Sequence, residues 1–212
     1  MTTLSTTKAA FGLVGDRLSK LGFDRRKPGI FSAPISDGVI GWVGLNKAIR
    51  GQSGAVEINP VVGVRNQRIE QIVAELTGDV FDALVPPTIA GNLGYLTPKR
   101  RYLSFRFEEA NANEDIADQL CQMVNAHGLP FMKRAADIKI LVDTMETLRF
   151  GIPEQLKYRI PVGYWLLGSG VKAKAFMATK LAEIGARTDQ AAIRYLRFSE
   201  NLCDRFESQM GT

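Results

Sequence analysis

The chain has 212 residues, 45% of them hydrophobic and 23% charged, a balance that excludes disordered and fibrous classes and leaves room for one large core or two small ones. No run approaches the roughly 18 to 20 uninterrupted apolar residues of a membrane span. The N-terminal MTTLSTTKAAF lacks the basic start and apolar stretch of a secretion signal, so a cytoplasmic protein with no membrane partner is expected. The net charge of +5 is uneven, with 14 Lys and Arg against 8 Asp and Glu in residues 1–106 and 13 against 14 in residues 107–212. A positive field on the first half attracts acidic partners without choosing between nucleic acid, lipid and protein.

The spacing of Phe11, Val14, Leu18 and Leu21 predicts a helix over residues 5–21, with Gly22 as its stop. The period then changes to two. Ile30–Ile35, Val39–Ala48 and Ala55–Val64 read as strands separated by the turns Ser36-Asp37-Gly38 and Gly51-Gln52-Ser53-Gly54, and such short connections suit an antiparallel meander. A helix is expected over Gln67–Thr77, with Asn66 as N-cap, Gly78 past its end, and Ile69, Ile72, Val73 and Leu76 as its buried stripe.

After Pro86-Pro87, Asn92–Leu96 and Arg101–Phe107 read as a second hairpin across the turn Thr97-Pro98-Lys99-Arg100, where Pro98 suits the second turn position. From there the pattern is helical. Asn113 or a neighbour starts a helix carrying Ile116, Leu120, Met123 and Val124, and another runs over Ala136–Leu148. Beyond Pro161, helices are expected over Val162–Leu167, over Val171–Ile184 with Phe176, Met177 and Leu181 inward, and over Thr188–Gln209 with Leu196, Cys203 and Phe206 inward. Ala173, Ala175, Ala178 and Ala182 are expected to admit close neighbours. Strands followed by helices argue for an α+β fold, an antiparallel meander and hairpin sheet packed against helices with a C-terminal helical segment. The expected division is an α+β domain over residues 1–150 and a helical extension over 151–212 packed on it.

TPKRRYLSFRF, Thr97–Phe107, brings basic residues into alternating aromatics, as an RNA-binding strand does. Arg100 and Tyr102 fit such a strand, but Arg101 replaces its glycine and Ser104 stands where its second stacking aromatic belongs. Leu103, Phe105 and Phe107 fall on one face instead, the mark of a strand facing a core. Lys99, Arg100 and Arg101 remain a candidate anion or partner site together with Arg25, Arg26 and Lys27. If both runs share one end of the sheet they form a patch of six charges, with Arg65 and Arg68 as additions; the plainer account is protection of exposed strand edges.

The sequence offers no cofactor or metal motif and no assignable catalytic residue. His127 is the only histidine and sits six residues after Cys121, about 120° away around a helix. Cys121 and Cys203 read as buried, reduced thiols on apolar helix faces. GYWLLGSGVKAK, Gly163–Lys174, has the glycine separation of a phosphate loop, but Ser169 occupies the lysine position, which leaves a helix-to-helix turn at Gly170. Asp143 and Glu146 share a helix face, as many solvated pairs do.

Four stretches carry a family resemblance: LSKLGFDRRKPGIFSAPISDGVIGWVGLN at Leu18–Asn46, GAVEINPVVGV at Gly54–Val64, GNLGYLTP at Gly91–Pro98, and HGLPFMKRAADIKILVDTM at His127–Met145. Together they resemble the DUF4304 family of bacterial proteins over about two thirds of the chain. The resemblance implies an α+β fold and, since members of such families are suspected to be immunity proteins or accessories of bacterial conflict systems, a binding role. It transfers no site residue. The chain is basic, with a pI near 9.3, unlike the acidic immunity proteins that neutralise basic nucleases.

Three readings follow. The first is a protein-binding module, with Trp42, Tyr95, Tyr102 and Trp165 as candidate interface aromatics. The second is a nucleic-acid-associated protein that uses the six basic residues on phosphates. The third is an enzyme with a concealed carboxylate or anion site.

Overall fold

The computed structural model describes residues 3–48, 55–108 and 113–210; the expected Gly51–Gly54 turn lies outside them. The fold is α+β and divides into two compact units, each made of two chain segments. The first takes residues 1–65 and 90–136, the second residues 66–89 and 137–212. The boundaries therefore interleave in sequence, whereas the reading by chain order divides it once, near residue 150.

The first unit is built on a six-stranded antiparallel sheet. Strands β1 (Asp24–Lys27), β2 (Ile30–Ser36), β3 (Val39–Lys47), β4 (Ala55–Asn66) and β5 (Ile89–Asn92) lie in sequence order, and β6 (Phe105–Glu108) also pairs with β4. The β2–β3 hairpin turns at Gly38, whose φ of 66° is one that L residues rarely adopt. Helix α1 (Thr3–Lys20) buries Ala10, Val14 and Leu18. A Cβ on its Gly15 would stand 3.1 Å from the Phe31 ring, so the glycine lets α1 sit close on β2. Helix α3 (Asn113–Met123) is tied to α1 by Arg17, whose guanidinium binds both Glu114 and Asp118. A π-helical turn at Val124–Gly128 leads into α4 (Leu129–Ala135), two features that the periodicity does not signal.

The second unit is helical: α2 (Gln67–Thr77), α5 (Ile138–Glu146), α6 (Pro153–Leu166), α7 (Gly170–Ile184) and α8 (Gln190–Met210). Helix α2 has the expected caps, with Asn66 Oδ1 accepting from Ile69 N and Gly78 left-handed. Asp137 caps α5, and Asp189 Oδ1 accepts from Ala191 N and Ala192 N at the start of α8. Helix α6 runs straight through the expected break, with Pro161 buried inside it. Proline removes the amide that would bond to the Lys157 carbonyl, and that carbonyl accepts from the Tyr195 hydroxyl at 3.5 Å instead.

Four expectations are corrected. Leu93–Leu96 is a 3-10 turn where a strand is expected, and β6 pairs along Ala55–Ile58 of β4, so Asn92–Phe107 is not a simple laddered hairpin. Residues 24–27 form a strand where a loop is expected. On α8 the buried face is Ala192, Tyr195, Phe198, Leu202 and Phe206, which leaves Leu196 outside it at 46% exposure. On α7 only Ala173 of the four alanines is buried; Ala175, Ala178 and Ala182 face outward. The alternation in β6 holds, with Phe105 and Phe107 buried and Arg106 exposed.

Candidate functional site

The most distinctive surface is the loop between β5 and β6. Asn92 clamps its ends, its side-chain amide acting as a surrogate peptide group: Oδ1 accepts from Leu103 N at 2.9 Å and Nδ2 donates to Leu103 O at 2.9 Å. The same Oδ1 takes Gly94 N at 3.0 Å, which starts the 3-10 turn. Gly94 is required because a Cβ there would lie 2.0 Å from the Arg101 carbonyl oxygen. The expected turn forms at Thr97-Pro98-Lys99-Arg100, closed by Arg100 N donating to Thr97 O at 3.0 Å, while Thr97 Oγ1 donates to Gly94 O at 2.8 Å.

On this clamped loop Tyr95 and Tyr102 are 44% and 56% exposed, their rings in an edge-to-face pair with centroids 6.4 Å apart. Lys99, Arg100 and Arg101 are exposed beside them. No side chain among the described residues forms an ion pair with these three cations. Arg100 holds φ at 44°, a left-handed conformation that costs an L residue about 1 kcal/mol or more.

The other basic run is elsewhere. Arg25, Arg26 and Lys27 lie on β1, the opposite edge strand of the order β1-β2-β3-β4-β5, with three strands standing between β1 and β5. The two basic runs thus belong to different elements, Arg25, Arg26 and Lys27 to the strand β1 and Lys99, Arg100 and Arg101 to the loop after β5. Arg26 is engaged there, donating from Nε to Ser32 Oγ at 2.8 Å and pairing with Asp24 at 3.0 Å. Arg65 is buried, at 2% exposure, and Arg68 lies on α2 in the second unit.

Trp42 and Trp165 are not exposed anchors. Trp42, in β3, is 8% exposed and folds over Gly44, where a Cβ would come within 2.3 Å of the ring. Trp165, on α6, is 9% exposed, stacked edge-on with Phe206 and covered by the Arg205 guanidinium 5.2 Å above it. Their residue type signals an interface, but a strand interior and a helix core claim both rings.

The second unit holds a buried ionic network that linear order does not show. Arg159 Nε and Nη2 grip Glu70 Oε1 and Oε2 at 2.8 and 3.0 Å, with both side chains no more than 7% exposed. Thr88 Oγ1 donates to Glu70 Oε1 at 2.7 Å and accepts from Asn66 N at 2.9 Å, while Arg159 Nη1 donates to Thr88 O at 3.1 Å. An arginine inside the apolar stretch YRIPVGYW is the one signal that foretells it. Every charge is met by a partner, and the network reads as a fastening between α2, α6 and the segment before β5.

Remaining candidates resolve into structural roles. Cys121 is buried, its Sγ donating to Val14 O at 3.8 Å, and burial pushes its thiol up to about 12. Asp143 pairs with Lys139 while Glu146 accepts from the Tyr164 hydroxyl, so the two carboxylates serve different partners. Gly170 makes room for Phe206, whose ring would lie 3.1 Å from a Cβ there.

Two open clefts lie among the helices. One, about 460 Å³, is lined by Glu154, Lys157, Lys180, Glu183 and Arg187. Its charges are paired as Glu154–Lys157, Lys180–Glu183 and Arg187–Asp189. Lys157 holds the Glu154 carboxyl below its usual range and Arg187 does the same for Asp189, the direction opposite to that of a general acid. The other, about 410 Å³, lies between α7 and α8. Among the described residues, no three His, Cys, Asp or Glu converge as metal ligands, and no helix is long and apolar enough to cross a membrane. No family model, no curated protein and no solved structure matches the chain.

Proposed function

We propose that this protein is a binding module that holds an acidic protein partner through the loop Leu93–Ser104, in the manner of an immunity protein or accessory subunit of a bacterial conflict system. The observation that carries the reading is the clamped, preorganised pair Tyr95 and Tyr102 beside three cations that have no carboxylate partner among the described residues. Tyr and Arg are the residues enriched at interface hot spots. A rigid loop also loses little conformational entropy on docking. Edge protection does not account for Lys99, Arg100 and Arg101, which lie in a turn outside any strand, whereas it does account for Arg25 and Lys27 on the edge strand β1. The resemblance of Leu18–Asn46 and His127–Met145 to DUF4304 proteins supports a role in conflict systems.

A second reading rests on the same loop: two exposed rings beside cations also suit stacking and phosphate contacts with a single-stranded nucleic acid. The test is to recover the tagged chain from its native host with and without nuclease and identify its companions by mass spectrometry. A stoichiometric protein should survive nuclease and be lost from Lys99→Glu/Arg100→Glu/Arg101→Glu. Replacing Tyr102 with Ala should weaken it about 30-fold, the measure of a loss of roughly 2 kcal/mol. Loss of every companion on nuclease treatment moves the assignment to nucleic acid, and capture unchanged by both sets of variants refutes the loop as the site.

A further inference from the structure

Helices α7 and α8 run as a hairpin joined through residues 185–189, and the cleft of about 410 Å³ between them is lined at helical spacing from both sides. From α7 come Lys174, Met177, Ala178 and Leu181; from α8 come Leu196, Ser199, Glu200, Cys203, Asp204 and Glu207. Met177 is buried at the base, Leu181 and Cys203 are half-buried, and Leu196 stands open at 46% exposure. These positions recur at i, i+3, i+4 and i+7, the spacing by which one helix offers a groove to another.

The rim is charged on one side. Glu200, Asp204 and Glu207 are exposed along α8, and none forms an ion pair among the described residues. Like charges one helical turn apart repel by about 0.2–0.5 kcal/mol per pair, and no ion pair among the described residues offsets this. The one cation of the lining, Lys174, is drawn over the Phe206 ring at 5.7 Å. An apolar floor under three free carboxylates is complementary to a helix with an apolar stripe flanked by Lys or Arg.

We propose that the α7–α8 groove is a docking site for a basic amphipathic helix of a partner protein, separate from the Tyr95–Tyr102 loop. Cys203 in the floor reports on occupancy. Cys121, the only other cysteine, is buried with its thiol pushed up to about 12 and serves as an internal unreactive control.

The experiment alkylates the full chain with iodoacetamide and follows Cys203 by mass spectrometry. The probe is an 18-residue peptide of Leu and Lys arranged as an amphipathic helix, with a scrambled peptide of the same composition and a Leu/Glu version beside it. At a peptide concentration about ten times its Kd, the Cys203 rate should fall about tenfold, and the protection should weaken at high salt. It should be lost in Glu200→Lys/Asp204→Lys/Glu207→Lys and, independently, in Leu196→Glu, each checked for native circular dichroism. The proposal is overturned by equal protection from the scrambled or Leu/Glu peptide, by no protection up to about 1 mM peptide, or by protection that persists in a folded variant. It is also overturned by Cys203 protection that rises with protein concentration alone, which assigns the groove to a second copy of the chain.

Discussion

Replacing Arg159 with Met should destabilise the second unit more than replacing both members of its buried pair. Arg159→Met takes from the Glu70 carboxylate, whose side chain is 7% exposed, the two guanidinium donors that it holds at 2.8 and 3.0 Å. Removing one partner from a buried ion pair costs about 3–5 kcal/mol, because the other charge stays desolvated and loses that counter-charge. The double variant Glu70→Gln/Arg159→Met removes both charges and keeps an amide oxygen to accept from Thr88 Oγ1. Its residual cost is the Thr88 carbonyl, which loses the Arg159 Nη1 donor held at 3.1 Å, about 1–3 kcal/mol for one buried unsatisfied group. The double variant should therefore be the more stable of the two by about 2 kcal/mol. Each unit holds one of the two tryptophans, so urea unfolding in a Trp42→Phe background, followed by Trp165 fluorescence, reads the second unit alone. With a urea slope of about 2 kcal/mol/M, the single variant should lose roughly 2 M in midpoint and the double variant about half of that. A double variant less stable than Arg159→Met refutes the reasoning, since it means that the pair contributes net stability beyond the mutual relief of its two desolvated charges.

Three further outcomes follow from the geometry. Gly94→Ala places a Cβ 2.0 Å from a backbone oxygen; it should cost about 3 kcal/mol in thermal unfolding and disorder the Tyr95 and Tyr102 resonances while leaving the second unit's signals in place. Arg100→Gly relieves the left-handed φ of 44° and should raise stability by about 0.5–1 kcal/mol while weakening partner binding, so stability and affinity move in opposite directions. Burial and the bond to Glu146 raise Tyr164 to about 12, above the value of about 10 in an unfolded chain. Its contribution is fully present below pH 10 and lost as pH rises toward 12. The thermal midpoint of the wild type should fall over that window, and Tyr164→Phe should flatten the fall.

Periodicity made the outlines of this fold legible and left the exceptions hidden. The meander, α2 and its caps, and the buried–exposed alternation of β6 follow from local rules, because each depends on residues within one element. Pro161 misleads because a local rule is overridden from outside: Tyr195 supplies the carbonyl at Lys157 with the donor that the proline withholds. Leu93–Leu96 misleads for a related reason. Its strand-like composition yields to Asn92, whose side chain pairs with Leu103 in place of a ladder partner and turns the backbone into a 3-10 loop. The Tyr95–Tyr102 pair therefore rests on one asparagine eleven residues from its bonding partner, a relation without periodicity. Trp42 and Trp165 show the converse error, since residue type signals an interface and only burial decides against it.

The two proposed surfaces differ in sign as well as in place. By sequence, the segments of the first unit carry 15 Lys and Arg against 9 Asp and Glu, while those of the second carry 12 against 13. The exposed cations of the β5–β6 loop belong to the first and the exposed carboxylates of the α7–α8 groove to the second. A salt titration weakens both contacts and so cannot separate them, but charge reversal can. Lys99→Glu/Arg100→Glu/Arg101→Glu should abolish capture of an acidic partner and leave peptide protection of Cys203 intact. Glu200→Lys/Asp204→Lys/Glu207→Lys should do the reverse. A variant that removes both activities while its circular dichroism stays native refutes the assignment of the two contacts to separate surfaces, since the captured partner and the peptide are different ligands read in different assays.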